Sequence, residues 1–360
     1  MSELREVLTA IRDDAASAER MALATVVGVT GSTYRQPGAR LLVRSRGTSI
    51  GNISGGCLEG DVERIGREVI IDRGPRLELF DLRADDDAVW GYGLGCNGAI
   101  EVFIEPVDAP ACAALLGALE RGERCCLATV VSSTSAELPA GSHTLVTAYG
   151  PMGDGSALLR DHAVAALAAG DGGLRSVRLP DGEARIFSEV LQPPPRLLVC
   201  GAGHDAIPLV RDAAAMGWRV TVTDPRRGLL EHGRFPEAEA FIPAHPVDGV
   251  TEFEPVADDF VLVMSHNYLK DLEYLRALVD VPLAYLGQLG PRRRTQQLLR
   301  ELDRNEAIDQ IHAPAGLDIG AEGPEEVAWA VVAEMLAVRR KRPAGFLRDR
   351  RAPIHAVEAE

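Results

Sequence analysis

Short apolar runs of strand length alternate along this chain with stretches whose apolar residues recur at helical spacing, and that pattern predicts an α/β protein. The opening segment MSELREVLTAIRDDAASAER reads as an amphipathic helix, followed by an apolar strand from Leu23. In the second half, Arg196 to Cys200, Trp218 to Thr223 and Phe260 to Met264 predict strands. One helix is expected to run through Met216. Another is expected to start at Pro324 and bury Ala328, Val331, Val332, Met335 and Leu336.

The first half repeats itself. Glu19-Arg20-x-x-Leu23-Ala24-Thr25-Val26-Val27 recurs as Glu123-Arg124-x-x-Leu127-Ala128-Thr129-Val130-Val131, an offset of 104 residues with seven of nine positions identical. Each copy predicts a helix, an apolar strand and a second strand (Ala39 to Val43, then Thr144 to Thr147). A glycine turn (Gly51, Gly155) and a further helix follow, and the copy closes on an apolar strand near Glu101 to Val107 or Arg185 to Leu191. The copies form either one duplicated domain or two small lobes. The sharpest break comes at Gln192-Pro193-Pro194-Pro195, because three prolines forbid helix and interior strand. The expected organisation is an N-terminal α/β domain over 1–192, with repeats near 19–107 and 123–191. A C-terminal Rossmann-like parallel-sheet domain over 196–346 and a tail over 347–360 complete it.

With 360 residues, 46% of them apolar and 25% charged, the composition is globular. No apolar run approaches a membrane span and the N-terminus lacks a signal-peptide pattern, so a cytoplasmic protein is expected. A formal net charge of −15 disfavours broad contact with nucleic acid or anionic lipid. The six cysteines include no Cys-x-x-Cys pair and predict neither a zinc finger nor a disulfide framework.

Three loops in the first half carry candidate chemistry. Gly31 to Arg40 follows a strand and combines glycines, hydroxyls, Arg35 and Arg40, a set suited to a phosphate or polar heterocycle. In Gly51-Asn52-Ile53-Ser54-Gly55-Gly56-Cys57-Leu58-Glu59, glycines Gly55 and Gly56 let backbone approach a ligand. A helix starting just after Cys57 would favour its thiolate, which can ligate a soft metal or carry sulfur. Aligned without a gap, Gly55-Gly56-Cys57 falls on Leu159-Arg160-Asp161 of the second copy, so the scaffold does not require that turn. Gly91 to Gly98 is a second glycine loop, holding Cys96. Cys112, Cys125 and Cys126 lie in apolar segments and read as core.

In the second half, the strand ending at Cys200 runs into Gly201-Ala202-Gly203-His204-Asp205-Ala206, a Gly-x-Gly-x-x-Ala turn, and Asp224 follows at the spacing of a ribose-binding acid. His266 and Asn267 follow the strand Phe260 to Met264, where a parallel sheet binds ligands. Arg292 belongs to an arginine cluster opening a helix after Gly290-Pro291, where an anion partner would account for the cations.

Together, Gly31 to Arg40, Gly51 to Asp61, Gly201 to Ala206, Ser265-His266-Asn267 and Leu289 to Arg294 resemble the XdhC/CoxI family of xanthine dehydrogenase and carbon monoxide dehydrogenase maturation factors. The resemblance implies a molybdenum cofactor-binding chaperone rather than an enzyme. Such a protein holds molybdopterin or its dinucleotide form while a cysteine desulfurase adds the terminal sulfur, inserts it into a molybdenum hydroxylase apoenzyme, and acts as a homodimer. It places Cys57 and Cys96 nearest the metal, with Arg35, Arg40 and the Rossmann turn toward the pterin phosphate or an attached nucleotide. Ser54 stands where many relatives have a further glycine, and Gly95-Cys96-Asn97-Gly98 is closer to the CoxI-like branch. The competing reading from the Rossmann turn is an NAD(P)-dependent oxidoreductase with His266 as acid or base. A third reading is a scaffold bridging desulfurase and apoenzyme, its cysteines doing no chemistry.

Overall fold

A computed structural model describes residues 2–17, 19–81, 97–152 and 156–351. The chain divides into two compact units between Pro193 and Pro194. The predicted turn glycine Gly155 and the loop residues 91–96 lie outside the described residues. Among the described residues no helix is long and apolar enough to cross a membrane.

The first unit runs α1 (Ser2–Ala15), β1 (Met21–Ser32), β2 (Arg40–Arg44), β3 (Ile50–Gly51), α2 (Glu59–Asp72), β4 (Arg76–Asp81) and β5 (Asn97–Pro106). The same succession then recurs as α3 (Ala109–Glu120), β6 (Cys125–Ser133), β7 (His143–Thr147), β8 (Gly150–Met152), α4 (Ala157–Ala169), β9 (Gly173–Leu179) and β10 (Gly182–Leu191). The strands form two five-stranded sheets of identical order, β3-β2-β1-β5-β4 and β8-β7-β6-β10-β9. The duplication is thus complete, and both copies lie in one compact unit. Every recorded pairing in both sheets is antiparallel, which periodicity did not reveal, and β3, β4, β8 and β9 extend the sheets beyond the predicted strands.

Both faces of each central strand are covered, which accounts for the dense apolar runs. On β1, Ala22, Ala24 and Val26 face α2 through Val62, Ile65 and Val69. On β6, Cys126, Ala128 and Val130 face α4 through Leu159 and Ala163. The opposite faces pack against each other through Val27, Phe103, Val131 and Phe187. Val27 and Val131 are the residues skipped where the strand register shifts, so a β-bulge is itself duplicated at the point of inter-sheet contact.

Charged residues also join the copies. Arg185 and Glu101 pair at 2.7 Å. Arg40 is buried and its guanidinium grips the Glu189 carboxylate, with a second contact of 3.2 Å. Register relates Glu189, opposite Leu127, to Glu105, opposite Leu23. It likewise relates Arg40, opposite Thr25, to His143, opposite Thr129. The mirrored pair would be His143 with Glu105, but His143 bonds Asp108 at 3.1 Å instead. Burial therefore pushes Glu105 up to about 8; the charge of Arg40 offsets this only partly and Asp108 adds to it.

The second unit is a single parallel sheet of order β13-β12-β11-β14-β15. Its elements are β11 (Arg196–Cys200), α5 (Ala206–Ala215), β12 (Arg219–Thr223), β13 (Ala240–Ile242), α6 (Pro246–Phe253) and β14 (Phe260–Val263). They continue as α7 (Tyr268–Leu278), β15 (Tyr285–Gln288), α8 (Arg292–Glu301) and α9 (Pro324–Arg339). This is a Rossmann-like half, with helices on both faces. Along α9, Ala328, Val331, Val332 and Met335 are buried and Leu336 only partly so.

Two measurements check this account of the first unit. Phe103→Ala should lower the free energy of unfolding by about 3–5 kcal/mol, read as an earlier urea transition in far-UV circular dichroism; a loss below about 1 kcal/mol would contradict the inter-sheet packing. Native Glu105 releases its proton near 8 against an ordinary 4.5, so native stability falls as pH climbs through that interval. The unfolding temperature of Glu105→Gln should accordingly gain on wild type between about pH 5 and about pH 8, and parallel curves would refute the assignment.

Candidate functional site

The loop from Asn52 to Leu58 joins β3 to α2. It begins at Gly51, whose φ of +97° and 2.3 Å approach of an added Cβ to the Arg40 carbonyl oxygen exclude any side chain. Ile53 and Leu58 anchor it in the core beneath α2. The Asn52 side chain accepts the Gly55 N–H at 2.9 Å. The Ser54 hydroxyl accepts the Cys57 N–H at 3.0 Å and the Leu58 N–H at 2.9 Å. Gly55 and Gly56 are exposed at positive φ, and Cys57 is half-buried beside them.

The helix begins at Glu59, directly after this loop, as expected. Its N–H environment, however, is already committed. The Glu59 carboxylate turns back and accepts N–H groups from Ile53 at 3.2 Å, Ser54 at 2.9 Å, Gly56 at 2.9 Å and Leu58 at 3.1 Å. Burial alone would raise Glu59, but the hydrogen bonds from the Ser54 side chain and from backbone N–H groups outweigh it and hold the group below the ordinary carboxylate value. The donors that the sequence assigned to a Cys57 thiolate thus serve Glu59, and Glu59 itself went unrecognised. Its signal was an acid in the first helical turn behind a serine, a variant of the capping box.

The second copy has four residues between β8 and α4, where the first has seven between β3 and α2. Leu159-Arg160-Asp161 lies inside α4, so the gapless alignment is superseded: the glycine-cysteine loop lies on a longer connection of the first copy.

The Gly31–Arg40 segment splits. Tyr34 is exposed, with its Cγ 3.9 Å from an added Cβ on Gly55, which brings this loop beside the glycine pair. Arg35 is ion-paired with Glu3 of α1, and its Nε has no hydrogen-bond partner. Arg40 does not join them: burial between the sheets and its pairing with Glu189 remove it from the candidate ligand set. Cys96 lies outside the described residues, while the described start of β5, Asn97, pairs with Ser32 at the root of the Tyr34 loop. Burial pushes Cys112 and Cys125 up to about 12 and Cys126 up to about 11, as suits core thiols. Cys200 is raised by burial well above the ordinary value. No cluster of three His, Cys, Asp or Glu among the described residues could hold a metal ion.

In the second unit the sheet brings Gly201, Gly203, Asp205 and His266 to one edge. Gly201, at φ +125°, would drive a Cβ to 2.7 Å from the Met264 carbonyl oxygen. His204 is exposed. His266 adopts a φ of +54° and its Nε2 lies 2.6 Å from Asp205. Asn267 caps α7 by accepting the Lys270 N–H at 3.1 Å. Asp224 is 1% exposed. Burial would raise it, yet hydrogen bonds from the Arg226 side chain and the Ala202 and Arg226 N–H groups hold it down at about 2. Arg292 pairs with Asp309 at the surface at 3.2 Å. Arg294, a member of the arginine cluster expected to meet an anion partner, instead points inward and bonds the buried Asp271 at 2.5 Å, beside Gln288 and Ser265.

Comparison with known proteins agrees with this architecture. Residues 15–81 match the XdhC and CoxI family and residues 197–335 match the XdhC Rossmann domain. A Bacillus subtilis (strain 168) protein, named there as a probable xanthine dehydrogenase component, is 34% identical over 349 residues, covering 95% of this chain and 99% of that protein. The molybdenum cofactor insertion chaperone PaoD of Escherichia coli (strain K12) is 23% identical, across 88% of this chain and 83% of its own length. A Bacillus halodurans crystal structure described as a xanthine dehydrogenase superposes with a TM-score of 0.77 at 31% identity, covering 94% of this chain and 97% of that one. With both halves matched and the Bacillus subtilis relative aligned almost end to end, the chain belongs to the XdhC and CoxI family.

Proposed function

We propose that this protein is a maturation factor that holds molybdenum cofactor and delivers it to a molybdenum hydroxylase apoenzyme of the xanthine or carbon monoxide dehydrogenase type. It acts in the cytoplasm as a homodimer, and a cysteine desulfurase supplies the terminal sulfur while the cargo is held. The observation that carries this reading is the Asn52–Leu58 loop, in which half-buried Cys57, packed at the edge of the core, follows two exposed glycines on the longer connection of the first copy. Family membership and the likeness to PaoD support it.

The donor chemistry fits such a cargo. Its metal brings dithiolene and oxo ligands of its own, so a carrier needs to add little more than one soft donor. Cys57 supplies that sulfur. An added Cβ on Gly56 meets nothing within 4 Å, which leaves the backbone approachable from that side. Tyr34 offers an aromatic face beside Gly55 for the pterin, and the Arg35 guanidinium, now paired with Glu3, is proposed to turn to its phosphate. Cys96, from the second glycine loop, is proposed as a further ligand. In the second unit, exposed His204 and Arg292 remain candidates for contacts to the cargo other than a diphosphate. Glu59 touches no cargo in this scheme. By gathering the loop N–H groups it fixes the turn around Cys57.

Metal analysis and oxidised-pterin fluorescence on protein purified from molybdate-supplied cells test the reading. Cys57→Ala should lose on the order of tenfold in both signals while keeping the wild-type unfolding temperature, and equal loading of the two proteins would overturn it. Glu59→Gln should speed hydrogen exchange at the Ile53, Ser54, Gly56 and Leu58 amides on the order of tenfold. It should also lower pterin retention less than Cys57→Ala does.

A further inference from the structure

The glycine turn of the second unit has the outline of a dinucleotide site, yet its residues do not fit one. A bound pyrophosphate would lie against the second glycine and the first N–H groups of the following helix. Here that glycine is Gly203, and Asp205 is the N-cap residue of α5. An aspartate at an N-cap ordinarily turns its carboxylate onto the helix N–H groups. The Asp205 side chain makes no such cap. Its Oδ1 folds back to 2.7 Å from the point where a Cβ on Gly203 would stand. Its Oδ2 is held at 2.6 Å by Nε2 of His266, which comes from the end of β14.

The ribose position is closed independently. Asp224 has the spacing of a ribose-binding acid, but both of its oxygens are engaged. Oδ2 accepts the Ala202 N–H at 3.0 Å and Arg226 Nη2 at 2.8 Å. Oδ1 accepts the Arg226 N–H at 2.8 Å and Nε at 2.9 Å. The Ala202 carbonyl is also occupied, by Arg234 at 3.2 Å. A ribose hydroxyl would have to displace an ion pair, and a diphosphate would have to displace a carboxylate of its own sign.

We propose that Asp205, pinned by His266, is a specificity determinant that fills the pyrophosphate seat and makes the second unit refuse NAD(P) and other dinucleotides. A ligand accepted at this edge meets a carboxylate where a nucleotide-binding turn offers N–H donors. The edge therefore selects for N–H-bearing or cationic groups and against diphosphates.

The test uses the full chain. NADH fluorescence titration of the wild-type protein should show no saturable binding below millimolar concentration. Calorimetric titration with inorganic pyrophosphate should give Asp205→Ser and the isosteric Asp205→Asn an affinity at least about tenfold above wild type, with unfolding temperatures confirming that both variants are folded. Micromolar, saturable NADH binding by the wild-type protein would overturn the proposal. Folded variants whose pyrophosphate affinity equals that of wild type would overturn it as well.

Discussion

Each copy of the duplicated half builds a five-stranded sheet with two apolar faces, one lined by α2 or α4 and the other covered only in part by α1 or α3. The rest of that face is buried by the other copy. Val27, Phe103, Val131 and Phe187 meet there, and the duplicated bulge keeps the two central strands in equivalent registers while they do so. Burial of this kind is non-directional. The ion pairs Arg40–Glu189 and Glu101–Arg185 add direction between the two copies. Once the two sheets stabilise each other, a connecting loop can depart from the repeat without loss of the core.

The first copy uses that latitude between β3 and α2. Its glycine-cysteine loop is held from both sides: Ile53 and Leu58 plug into the apolar core, and Glu59 gathers the backbone N–H groups that a helix mouth would otherwise present. The internal carboxylate alters the local electrostatics. The mouth of α2 is neutralised from within, so the loop offers outward open glycine backbone with Tyr34 alongside, next to half-buried Cys57. In the second unit an acid also stands at a helix N-terminus, but there Asp205 leaves the helix N–H groups uncapped and turns its carboxylate to His266. In both places an acid a few positions beyond the glycines shapes the electrostatics of the turn.

The sequence by itself determined the duplication, the break at the prolines, the parallel sheet of the second half, and the position of Cys57 beside paired glycines just ahead of a helix. These are local or periodic properties, carried by residues close in the chain or by identical residues at a constant offset. Tertiary structure alone decided which charges neutralise which. Arg40 looked like a ligand arginine until the fold brought it to Glu189, 149 positions away. Asp205 and His266, 61 positions apart, became one hydrogen-bonded pair only when β11 and β14 lay side by side. Asp224, with the right spacing for a ribose, had both oxygens taken up by Ala202 and Arg226. A charged side chain can serve a ligand only if the fold has not already satisfied it, and that depends on distances in space that spacing along the chain does not encode.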